Sequence, residues 1–96
     1  MRVITNRRLV EFAVKHPPAG VPLQNWRHVM ESKVFHSFAD LRKTFNTVDK
    51  VGDLYVFDIS GNKYRLIAFL QFEHQIAYIK HVLTHREYDL GAWRKS

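Results

Sequence analysis

The stretch Ser60 to Phe72, SGNKYRLIAFLQF, constrains the fold more than any other part of the chain. Gly61-Asn62 is a two-residue hairpin signal of the primed-turn kind, because both central positions of such a turn need left-handed backbone, which Gly and Asn tolerate. It sits between runs of β-branched and aromatic residues, Leu54 to Ile59 before it and Lys63 to Phe72 after it. A two-residue loop sets Ser60 against Lys63, and every other pair follows from that one. Asp58 then faces Arg65, while Tyr55, Phe57 and Ile59 face Ala68, Leu66 and Tyr64. Those six make one apolar side of the hairpin, which needs helices to cover it. Two cations, Lys63 and Arg65, sit two residues apart at its mouth.

A third strand is expected over Ile76 to His85. A three-residue loop would set Phe72 against Ile76 and mix the faces, so the reading takes a four-residue loop, EHQI. Leu70 then faces Ile79, Leu66 faces Leu83 and Arg65 faces Thr84. Asp58, Arg65 and Thr84 are thus predicted to form one cross-strand row on the face away from the helices. Ile67, Phe69, Tyr78 and Val82 alternate with the cations on that open face, an apolar area that calls for a cover. The terminal LGAWRKS or a partner protein would serve.

Before Gly52 the pattern is helical. A short strand, MRVI, precedes a helix over Asn6 to His16, with Thr5 and Asn6 as candidate caps and Leu9, Phe12 and Ala13 on one stripe. His16-Pro17-Pro18 ends it, since the residue before a proline is pushed out of helical backbone. A second helix fits Pro22 to Ser32 through Leu23, Trp26 and Met30, and a third fits Ser37 to Phe45 through Phe38, Leu41 and Phe45. The sum is an α+β domain spanning 1–96: a short N-terminal strand and two to three helices packed on one face of a C-terminal antiparallel three-stranded meander.

Ninety-six residues, 46% of them hydrophobic, make one modest core. No run approaches the roughly 20 apolar residues of a membrane span, and the N-terminus lacks the apolar core of a signal peptide, so no membrane partner and a cytoplasmic location are expected. The absence of cysteine excludes disulfides, thiolate catalysis and thiolate-bound zinc. Fifteen Lys and Arg against nine Asp and Glu give a net charge of +6, which favours a polyanionic partner through phosphate neutralisation.

Six histidines raise the question of a metal. His81 and His85 have helical ligand spacing, but on a strand they lie about 13 Å apart and share no ion. His16, His28, His36 and His74 are dispersed, so neither metal nor cofactor is expected. What remains is Lys63 and Arg65 beside THREYD, which brings His85, Arg86 and Tyr88 to the mouth of the hairpin. Lys, Arg, His and Tyr together suit metal-independent cleavage of an RNA phosphodiester: cations stabilise the phosphoryl charge, and His or Tyr moves protons between the ribose hydroxyl, the leaving oxygen and solvent. Lys80 and Arg86, with Tyr78, would supply backbone and stacking contacts to RNA. The structural alternatives are plain. Arg65 pairs with Asp58 across the surface, where such a contact adds little stability. His85 shares strand parity with Ala77, Ile79 and Leu83 and points to the core unless the strand ends at Thr84.

The segment VFDISGNKYRLIAFLQFEHQIAYIKHVLTHREYDLGAW, preceded by MRVIT and two helices, resembles the HigB toxins of bacterial type II toxin-antitoxin pairs, within the RelE superfamily. GNKYRL and YIKHVLTHREYD carry the resemblance most specifically. It implies a RelE-like fold, an endoribonuclease acting on messenger RNA, usually on the translating ribosome, and neutralisation by a helix-turn-helix HigA antitoxin. Residue by residue it implies Arg65 as the phosphate-binding arginine, His85 and Tyr88 in proton transfer or leaving-group stabilisation, and Lys63 as added positive charge. Two rivals stay open: an inert nucleic-acid- or protein-binding module, and a toxin of the same fold with another target, as the ParE relatives have in gyrase.

Overall fold

The computed structural model of the protein describes residues 1–95. Five strands form one sheet: β1 Arg2–Ile4, β2 Asp49–Val51, β3 Leu54–Ile59, β4 Tyr64–Gln71 and β5 Ile76–Thr84, in the order β1-β5-β4-β3-β2. All neighbours are antiparallel except β1, which runs parallel to β5. The helices are α1 Asn6–Lys15, α2 Gly20–Ser32, α3 Phe38–Thr44 and α4 His85–Leu90. Short 3-10 turns occupy Pro17–Ala19 and Ala92–Lys95.

The first half forms as its periodicity requires. Leu9 of α1, Leu23, Trp26 and Met30 of α2 and Leu41 of α3 are buried against the inner face of the sheet. There Trp26 and Phe45 both meet the Phe57 ring edge-on, at 5.2 and 5.1 Å. Ser37 caps α3 by accepting from the Asp40 amide at 3.1 Å. Thr5 occupies the cap position of α1 but does not cap with its side chain, because its backbone is left-handed at φ 76°. The strand β2 escapes the period-2 signal because it is a three-residue edge of which two residues are charged and exposed.

The first hairpin has the expected register, with Asp58 opposite Arg65 and Phe57 opposite Leu66. Its turn keeps the expected centre, with the Lys63 amide donating to the Ser60 carbonyl across Gly61-Asn62, but not the expected backbone: Ser60 and Gly61 carry the positive φ values, 54° and 67°, and Lys63 lies in the turn rather than in β4.

The second hairpin departs from expectation. The loop has four residues, but they are 72–75, FEHQ, so Leu70 opposes Ala77 and Ala68 opposes Ile79. Gln75 fixes this loop. Its side-chain amide accepts from the Phe35 amide and donates to the carbonyls of Phe35 and Phe72, at 3.1, 2.6 and 2.7 Å. Further along, Ile67 opposes His81, which leaves Lys80 as an extra residue in a β-bulge. The bulge reverses the side-chain alternation. Val82 therefore packs with the helices, Leu83 joins the opposite face, and Arg65 faces Leu83 instead of Thr84. The predicted row Asp58, Arg65, Thr84 is correct only in its first pair.

On the outer face Trp93 closes over Val56 and Ile67, with Val51, Leu54, Leu83 and Tyr88 around it. The terminal segment thus supplies the cover, apart from Ser96, which lies outside the described residues. Gly91, left-handed at φ 76°, ends α4 and lets the chain double back so that Trp93 reaches Tyr88. Phe69 and Tyr78, each 37% accessible, remain outside that cover. Among the described residues no helix is long and apolar enough to cross a membrane.

Candidate active site and nucleic-acid interface

Arg65 is the only charged residue among the buried ones described, at 8% accessible, which corrects its expected place on the surface. Four groups hold it there. Nε lies 3.2 Å from the Asp58 carboxylate, one terminal nitrogen donates to the Tyr64 carbonyl at 3.1 Å, and the other donates to the Asn62 side-chain oxygen. The guanidinium carbon stands 5.4 Å from the centre of the Tyr88 ring, in cation–π geometry. Tyr88 in turn stacks on Trp93 at 5.2 Å with an interplanar angle of 13°, and the indole N–H donates to the Tyr88 carbonyl at 3.0 Å. A guanidinium engaged on three sides is fixed in direction, and its charge sits just under the surface of the hairpin mouth.

His85 leaves the strand as well as its parity. β5 ends at Thr84, which caps α4 through a reciprocal capping box: the Thr84 hydroxyl accepts from the Glu87 amide at 3.2 Å, and the Glu87 carboxylate accepts from the Thr84 amide at 2.9 Å. His85 is consequently the first residue of a helix and half-exposed. Its amide donates to the Lys63 carbonyl at 3.0 Å, which ties the start of α4 to the turn. Its Nδ1 lies 2.8 Å from the Asp89 carboxylate, one helical turn on. In a neutral ring, a carboxylate at Nδ1 favours the tautomer protonated there, which makes Nε2 the acceptor that a general base requires.

The mouth therefore gathers Lys63, Arg65, His85 and Tyr88, with exposed Arg86 beside His85. Tyr78 and Lys80 stand apart. Tyr78 opposes Phe69, four residues along β4 from Arg65 or roughly 13 Å, and the two rings form a tilted pair at 6.2 Å. Lys80 is the exposed bulge residue. Three contributors escape a reading by residue type: Asn62 and Asp89, which orient the arginine and the histidine, and Trp93, which backs Tyr88. Only Asp89 had a local signal, its four-residue spacing from His85, and that signal exists only on a helix. Among the described residues no group of three or more His, Asp or Glu is placed to hold a metal ion.

The field along β5 is positive. Burial, together with Arg8 and Lys80, pushes the His81 pKa below the ordinary histidine value.

A mixed sheet with helices on one face and a basic, histidine-bearing mouth at the other end of its central hairpin defines a small α+β domain of RelE-like type, built to meet an anionic partner. Residues 19–91 match the family model of HigB_toxin, described as the RelE-like toxic component of a toxin-antitoxin system. The chain belongs to this HigB toxin family. It is 34% identical over 92 residues to the mRNA interferase toxin HigB of Escherichia coli K12, an alignment covering 93% of this chain and 88% of that protein. The mRNA interferase HigB of Shigella flexneri is similar to the same extent. That of Escherichia coli O6:H1 is 29% identical over 92 residues, covering 93% of this chain and 89% of its own length.

Proposed function

We propose that this HigB-family toxin cleaves messenger RNA at the hairpin mouth, with Lys63, Arg65, His85 and Tyr88 as its catalytic groups. The observation that carries the reading is the Asp89–His85 pair, which presents a lone-pair nitrogen beside a cluster of cations. In the step envisaged, His85 Nε2 takes the proton of the ribose 2′-hydroxyl as its oxygen bonds to phosphorus. Lys63 and Arg86 neutralise the phosphoryl oxygens, and the buried charge of Arg65 adds to that field from beneath. The bond from phosphorus to the 5′-oxygen breaks, and Tyr88, one turn along α4 from His85, supplies the proton that the leaving oxygen needs. The products are a 2′,3′-cyclic phosphate and a free 5′-hydroxyl, and the step uses no metal. The relatives' designation as mRNA interferases supports RNA as substrate.

The family also implies a cognate antitoxin. The proposal extends to a helix-turn-helix HigA-type antitoxin, to action on the translating ribosome and to a cytoplasmic location. A second role for Arg65 is favoured by its burial: it is a structural cation as well as a source of field. The test is cleavage of messenger RNA by purified protein with and without ribosomes. His85→Ala should lose on the order of 10²-fold to 10⁴-fold in rate while keeping its melting temperature. Parental cutting by folded His85→Ala, or silencing of the parent by EDTA, would remove the site from consideration.

A further inference from the structure

The mouth alone cannot hold a polymer, because RNA on either side of the scissile bond must run along the protein. A groove of about 540 Å³ lies between α1 and β5, lined by Arg7, Arg8, Phe12 and Lys15 from the helix and Val82 from the strand. It is open because β1 pairs only with residues 76–78, so that the rest of β5 has no neighbouring strand on that side. Its charge is almost all of one sign. Glu11 is the one acid in its lining and is taken by Arg7 at 2.9 Å, while Arg8 and Lys15 are exposed and Lys80 stands in the adjoining bulge.

Lys15 suits the last turn of α1 and Arg7 pairs with Glu11 along it, but Arg8 does nothing for the helix. Arg7 and Arg8 lie in the first turn of α1, which has no acidic residue, although the positive end of a helix favours acids and disfavours cations by some tenths of a kcal/mol. The groove lining also adjoins, on the inner side of the sheet, the strand ends that carry the mouth. Phe12 meets the ring of Tyr64 edge-on at 5.5 Å. Tyr64 follows Lys63 in the chain and pairs with Thr84, the residue before His85.

We propose that the groove between α1 and the unpaired part of β5 carries the phosphate backbone of single-stranded RNA flanking the cleaved bond, with Arg8 and Lys15 as phosphate contacts. The proposal rests on the reading of the protein as an RNA-cleaving toxin and adds the path of the substrate to it. Phosphate contacts of this kind position RNA without reading bases, so the groove contributes affinity and orientation rather than sequence preference.

The experiment measures binding of a fluorescent, uncleavable 2′-O-methyl RNA oligonucleotide to the full chain, comparing the parent with the double variant Arg8→Glu/Lys15→Glu. Both side chains are exposed, and an unchanged melting curve establishes that the variant is folded. The dissociation constant should rise about tenfold or more for any base sequence, and the slope of log affinity against log salt should shrink by about 1.4, the share of two lost single-strand contacts. An unchanged constant and slope would overturn the groove. So would a variant that binds RNA as the parent does but no longer binds the antitoxin, since the patch would then be a protein-docking surface. The outcome is separable from the catalytic reading: His85→Ala should cut on the order of 10²-fold to 10⁴-fold more slowly, whereas the groove is read by binding of an oligonucleotide that is never cut.

Discussion

The two faces of the sheet are closed by different means. The inner face is sealed by helices through aliphatic and aromatic side chains, with Leu9, Leu23, Met30, Leu41 and Leu66 at 0% accessible. The outer face is covered in part, by one short segment whose Trp93 and Tyr88 stack in sequence on the buried guanidinium of Arg65 in β4. A closure built from many interlocked apolar groups gives stability and little else. The outer closure spends part of its packing on holding a charge in place, and that charge is where the proposed chemistry lies. The comparison predicts that damage to the inner face unfolds the molecule, whereas damage to the outer face disables it first.

The largest effect should come from Phe57→Ala. Phe57 is 1% accessible and meets two aromatic partners, so its loss should cost about 3–5 kcal/mol, a large part of the stability of a domain this size. Urea or thermal melting would show it, and a stable Phe57→Ala protein would break the comparison. Trp93→Ala removes a comparable ring from the outer face, but the expected result is local: amides of α4 should exchange rapidly with solvent while those of β3 and β4 stay protected. Global unfolding of this variant would show that the two faces are one cooperative unit.

Arg65→Ala comes next and has two readouts. Burial and three polar partners make its removal cost about 1–3 kcal/mol, or several degrees of melting temperature, in addition to a loss of cleavage on the order of 10²-fold. Arg65→Met, which fills the space without the charge, should recover part of the stability and none of the activity. Activity retained in Arg65→Met would make the residue purely structural. A smaller effect is expected from Thr84→Ala, which deletes the capping box and should cost about 1 kcal/mol, with a matching loss of His85 position.

The smallest effect is a pH dependence. The folded state holds the pKa of His81 below the unfolded value, because burial and the nearby Arg8 and Lys80 oppose its charge. Its contribution to stability is therefore full above the ordinary histidine pKa and is lost as pH falls below it towards the lowered folded value. His81→Gln should flatten the melting temperature between about pH 7 and pH 5 relative to the parent. An identical slope in both proteins would remove His81 as its source.

What the chain's letters disclose follows from the range of the forces involved. The first hairpin was legible because its turn, alternation and Asp58–Arg65 pairing are all contained in residues 54–68. The second was not. Its loop is placed by Gln75 bonding to Phe35, 40 residues away in the chain, and its bulge falls at Lys80, where no glycine or other local signal announces it. The same bulge decided the site. The catalytic candidates were legible as residue types, but the burial of Arg65 depends on a tryptophan 28 positions later reaching back over it, by way of Tyr88. The pairing of His85 with Asp89 became visible only once Thr84 ended the strand.

The parallel ladder between β1 and β5 has a consequence for timing. It joins residues 2–4 to residues 76–78; beyond that point the groove needs the rest of β5 and the mouth needs α4. A chain made from its N-terminus therefore exposes β1 and α1 long before their partners exist, and closing so long a loop is the slow, entropically costly part of assembly. Until β5 and α4 have emerged there is no cationic groove, no oriented histidine and no buried arginine. Such late closure is a built-in delay: the site proposed for cleavage is completed only once α4 has folded against the hairpin.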